Sequence, residues 1–123
     1  LIGAPVILTV LRGGALVALL ILFVAMLGPF QGAEEGLGLT DKPAHAIGFF
    51  IITVCLTLIA PGLGVWRTAL LALALGAGVE VVQGISGRSA NLFDLMADGV
   101  GIAAASALRA WAERARPDLF SAR

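Results

Sequence analysis

Two stretches of this chain, Gly13–Ala33 and Pro43–Trp66, carry no charged residue at all. Each is long enough to cross the hydrocarbon of a bilayer, which takes about 20 residues. The rest of the composition agrees: 59% of the 123 residues are hydrophobic and only 13% are charged. Soluble domains run nearer 45–50% apolar and about 25% charged, so there is too little polar side chain here to coat a water-soluble particle. Four spans of ~20 residues would leave only loops and tails. That excludes a large extramembrane domain, a second folded domain and a Rossmann-type nucleotide site. The expected fold class is all-α, a polytopic membrane protein with four transmembrane helices in a bundle, forming a single transmembrane domain over residues 1–123.

Breakers place the spans. Gly28-Pro29 ends the first, since proline lacks the N–H that a helix interior needs. Asp41-Lys42-Pro43 opens the second, with Asp41 as N-cap and Pro43 in the first turn. Pro61-Gly62 stops it, and the glycine- and serine-bearing segment Gly84–Asn91 separates the third from the fourth. The expected spans are about 6–27, 44–60, 66–82 and 92–111, followed by a short polar tail. Arg12 before Gly13–Met26 looks like the start of a signal peptide, but no A-x-A cleavage pattern follows, so the segment is read as a retained helix. The glycines near Glu80 (Gly76, Gly78, Gly84), together with Gly99 and Gly101, are read as points of close helix approach, as is the small face Ala97-Gly101-Ala105.

Basic residues set the orientation. With four spans, both termini and the second loop share one side, which holds Arg12, Arg67, Arg109, Arg114, Arg116 and Arg123; the other side holds only Lys42 and Arg88. Both termini are therefore expected in the cytoplasm. The formal net charge is zero, which excludes a nucleic-acid surface. The one cysteine, Cys55, cannot form an internal disulfide.

The polar residues of the later spans fall at one depth. Asp41, Lys42 and His45 stand at the outer start of the second span, Glu80 and Gln83 at the outer end of the third, Arg88 in the loop, and Asp94 and Asp98 in the first turns of the fourth. Asp41 and His45, like Asp94 and Asp98, are four apart and share a helix face. An ionised carboxylate at the bilayer centre costs roughly 2.5–3.5 kcal/mol, and less near the interface, so these acids require partners. Four acids (Asp41, Glu80, Asp94, Asp98) face two permanent cations (Lys42, Arg88). The surplus calls for a protonated carboxyl, a metal or a cationic ligand. His45 is read first as a hydrogen-bonded histidine, because no H-E-x-x-H pair or cysteine ligand set accompanies it; neither a metal nor a cofactor is expected. Ser86 and Ser89 form no nucleophile elbow. The inner halves of the spans read as apolar.

Asp41-Lys42-x-x-His45, Glu80-x-x-Gln83, Arg88 and Asp94-x-x-x-Asp98-x-x-Gly101, in that order, resemble the VanZ-like family of small bacterial integral membrane proteins. The resemblance covers roughly Asp41 to Leu108, about half the chain. It implies a multi-pass protein of the bacterial inner membrane with a polar site, and no particular reaction. Asp98 departs from the pattern, which often has Asn there. The expectation is an envelope protein whose outward-facing pocket binds an anionic lipid headgroup or cell-envelope precursor through Arg88 and Lys42, with the carboxylates orienting them. Two alternatives stand beside it. One is a small accessory subunit of a larger membrane protein complex. The other is a membrane-embedded hydrolase or transferase using His45 and a carboxylate as base and acid.

Overall fold

The computed structural model describes residues 3–27, 41–85 and 92–119. These are helical almost throughout, with no strand among the described residues: α1 (Ala4–Leu27), α2 (Asp41–Ile59), α3 (Gly64–Ile85) and α4 (Leu92–Ala115), with short 3-10 turns at Pro61–Leu63 and Pro117–Leu119. The element order matches the expected spans. α2 already includes Asp41, the residue expected as the N-cap ahead of the helix. α4 runs past residue 111 to Ala115, so Glu113 and Arg114 belong to the helix rather than to a tail.

The α2–α3 corner follows from its residues. Pro61 cannot donate to the ladder, the chain tightens into the 3-10 turn, and Gly64 adopts a φ of +77°, a region that side chains with a Cβ rarely enter. The Ala60 N–H still reaches the Leu56 carbonyl at 2.9 Å, closing the last turn of α2.

α2 is the centre of the bundle. It packs against all three other helices, most extensively against α4, whereas α1 leans on α2 and to a smaller extent on α3. The apolar core joins Phe49, Ile52 and Leu56 of α2 to Ala72 and Val79 of α3 and Ile102 of α4, with Leu19, Leu22, Phe23 and Met26 of α1 along its edge. Gly101 lets α4 approach α2 most closely: a Cβ there would collide with the Ala46 carbonyl. Gly48 leaves room for the terminal methyl of Met26 from α1, a flexible neighbour. Gly78 and Gly99, by contrast, have no atom within 4 Å of where a Cβ would stand, so they are not packing points.

Polarity is distributed inside out. The inward stripe of α4 consists of Asp94, Asp98, Gly101, Ile102, Ala105 and Arg109, all buried. Its outward side presents Phe93, Met96, Val100, Leu108 and Trp111, each more than half exposed. α1 is more extreme, with Val10, Val17, Leu20, Ile21 and Val24 all open to the surroundings. Two helices, Pro5–Met26 and Pro61–Ile85, are long and apolar enough to cross a membrane, and Pro43–Ile59 is a shorter apolar helix.

Candidate functional site

Polar contacts gather at opposite ends of the bundle. At one end α2, α3 and α4 bring His45, Glu80, Asp94 and Asp98 together. The i,i+4 spacing of Asp94 and Asp98 puts both on the stripe of α4 that faces α2. His45 lies in the opening turns of α2, opposite that stripe. The His45 Nδ1–H donates to Asp98 Oδ1 at 2.7 Å, a short distance typical of a charge-assisted bond. On the far edge of the ring, Nε2 stands 3.9 Å from Asp94 Oδ2, beyond hydrogen-bond range. The imidazole is thus held between two carboxylates, with Asp98 at 0% side-chain exposure and His45 at 11%.

Glu80 joins from α3. One possible ligand atom from each of His45, Glu80 and Asp98 lies within 4.8 Å of the other two. Gly76 makes the third wall: a Cβ there would stand 3.0 Å from Asp98 Oδ2 and 3.4 Å from the Phe49 ring, so any side chain would crowd the carboxylate. This glycine serves the site, one turn before Glu80.

Glu80 also lines a groove of about 590 Å³ between α3 and α4, walled by Ala77, Val81, Ile85, Leu92 and Leu95. The groove opens sideways through the apolar surface of the bundle. The site therefore has an apolar flank as well as a polar centre.

Gln83 reaches α1 as well. Its side-chain amide donates to the Met26 carbonyl at 2.9 Å, closing the C-terminal end of that helix. The side chains of Asp41 and Lys42, and all of Ser86, Arg88 and Ser89, lie outside the described residues.

The opposite end corrects the expectation of apolar inner halves. Arg109 is only 6% exposed. Its guanidinium donates to Thr68 Oγ1 at 3.1 Å, Thr57 Oγ1 at 3.4 Å, the Pro61 carbonyl at 3.0 Å and Glu113 Oε1 at 3.0 Å. Arg12 of α1 donates to the Leu58 carbonyl at 3.0 Å. α2 has no basic residue in its own last turn, so two arginines from other helices take carbonyls at and just past its C-terminal end. The signal that identifies Arg109 as an inward residue is periodic: it extends the stripe 94-98-102-105 by one more step of four.

These contacts also fix the direction of each helix. Met26, His45, Gln83 and Asp94 mark one end; Arg12, Leu58, Thr68 and Arg109 mark the other. Consecutive helices therefore run antiparallel. No protein-family model, curated protein or solved structure matches the chain.

Proposed function

We propose that this chain is a VanZ-like, four-span protein of the bacterial inner membrane whose His45-centred site holds the headgroup of an anionic lipid or lipid-linked envelope precursor. The membrane reading is supported by polarity. With Asp94, Asp98 and Arg109 turned inward and Phe93, Val100 and Trp111 outward, the bundle suits an apolar solvent outside and would be a poor particle in water. α4 spans in this reading despite its charges, because they face the other helices. Both termini lie in the cytoplasm, and the His45 end faces outward.

The observation that carries the ligand reading is the groove. It is apolar along Ala77, Val81, Leu92 and Leu95 and meets a carboxylate at Glu80, which suits a molecule with a hydrocarbon chain and a polar head. Lys42, beside His45 in sequence, and Arg88, between α3 and α4, supply the positive charge for the anion, Arg88 through its bidentate fork.

Native mass spectrometry of the protein extracted gently from its own membranes tests this. The expected result is a retained anionic lipid that is lost from Arg88→Ala protein and kept by Glu80→Gln protein, in which a negative charge has been removed. Equal occupancy in Arg88→Ala protein, or no bound lipid, refutes it. A stoichiometric larger partner in the same spectra would instead make the chain an accessory subunit.

A second reading rests on the His45–Asp98 pair. A carboxylate fixing one imidazole nitrogen leaves the other positioned as a base, the requirement of a membrane hydrolase or transferase. It predicts a turnover that disappears in His45→Ala protein of unchanged helicity.

A further inference from the structure

We propose that His45, Glu80 and Asp98 form a binding site for one divalent transition-metal cation. The inference goes beyond the headgroup reading and uses the same site.

The donors come from three different helices and meet in one place, each within 4.8 Å of the others. Two ligands bound at ~2.1 Å in a tetrahedral site stand roughly 3.4 Å apart, so the set has to close by only about an ångström to bind a metal. One imidazole nitrogen with carboxylate oxygens suits zinc, manganese or iron better than the all-oxygen preference of calcium or magnesium.

Charge supplies an independent argument. Among the described side chains this end of the bundle holds the acids Glu80, Asp94 and Asp98 and neither Lys nor Arg, and Asp94 and Asp98 are both buried. A divalent cation cancels that excess. A helix pin made only of hydrogen bonds would not need it, since Asn at position 98 would bond His45 as well.

The surroundings fit as well. With Nδ1 bonded to Asp98, Nε2 is the nitrogen left for the cation, and Asp94 Oδ2, 3.9 Å from it, is placed to act as a further ligand. The groove lined by Glu80 runs beside one of the three donors. A bound cation would also attract the phosphate of a headgroup towards an otherwise acidic site.

The test uses the full chain without a histidine tag, purified in detergent, stripped with a chelator and then titrated separately with Mn²⁺ and Zn²⁺. His45 is the only histidine, so any imidazole coordination reports this site. The expected results are one equivalent bound, nitrogen coupling in the pulsed electron paramagnetic resonance spectrum of the Mn²⁺ form, and at least tenfold weaker binding in His45→Ala and Glu80→Gln proteins. No uptake by the wild-type chain, undiminished uptake in folded variants, or Mn²⁺ without nitrogen coupling overturns the proposal. The wild-type spectrum decides the matter if the variants do not fold. Lipid retention measured on stripped and reloaded protein separates the two readings. Lipid kept without any metal uptake sinks the metal site alone, and metal uptake without lipid sinks the headgroup reading alone.

Discussion

Replacing Gly101 with alanine should drive α2 and α4 apart. The added methyl would overlap the Ala46 carbonyl oxygen and lie 2.9 Å from both the Ala46 carbonyl carbon and the Phe50 nitrogen. Ordinary carbon contacts stand at about 3.5 Å or more. Every obstructing atom is backbone, so no side chain can swing away and the helices must separate. Overpacking costs about 1–3 kcal/mol, and a backbone obstacle places this case near 3. Alanine recovers about 1 kcal/mol of helix propensity over glycine, which leaves a net loss of about 2. Gly99 is the internal control: with nothing within 4 Å, Gly99→Ala keeps the propensity gain and no clash. Two alanine substitutions two residues apart in one helix should therefore differ by about 3 kcal/mol. Unfolding titrations with sodium dodecyl sulfate in mixed micelles, followed by circular dichroism, measure the difference. A Gly101→Ala protein as stable as wild type would refute the close approach of the two helices. So would a Gly99→Ala protein that loses as much.

Three other substitutions probe features away from that contact. Arg109→Met removes interhelical bonds to Thr57, Thr68 and Pro61; at ~0.6–1.7 kcal/mol each the same titration should show a loss of about 3 kcal/mol, and Arg109→Lys should not restore it, because one ammonium cannot reproduce the fork. Gly64→Ala should lower stability by about 1–3 kcal/mol, since φ there is +77° and ψ 172°; an unchanged denaturation midpoint would contradict that corner geometry. The Arg116 guanidinium holds the exposed Asp118 carboxyl below its ordinary value. A lowered folded-state pKa contributes stability above the unfolded pKa, and the contribution is lost as pH falls through the folded value. For so exposed a pair it should be negligible: an NMR titration of Asp118 should show the lowered midpoint, while Asp118→Asn leaves the denaturation midpoint unchanged near neutral pH.

Helix positions were legible because breakers and uncharged runs are local signals. Pro61 and the glycines around it stop α2, and the Pro43–Trp66 run announces it. The convergence of His45 with Asp94 and Asp98 was legible for a related reason: four-residue spacing is a statement about helix faces, and all three residues sit near helix ends that an up-and-down bundle brings together. The partner of Gln83 was not, because a main-chain carbonyl of α1 has no side-chain signature. Arg109 was read as one more cytoplasmic base, since a positive charge near a span's end satisfies the orientation rule whether it faces water or protein. Only its phase on α4 distinguishes the two. The groove beside Glu80 was equally hidden, because it arises from how α3 and α4 splay and not from any one residue type.

The two arginines that serve the C-terminal end of α2 have a consequence for the order of assembly. Arg12 precedes α2 and is already present when the helix is made, but Arg109 bonds the Pro61 carbonyl from 48 residues further along the chain. Until α4 is synthesised, the Pro61 carbonyl and the Thr57 and Thr68 hydroxyls lack that donor, and buried groups of this kind are costly to leave without partners. α4 thus acts as a keystone. Its docking completes the polar contacts at both ends of the bundle at once, so α1–α3 made without it would form an unfinished intermediate.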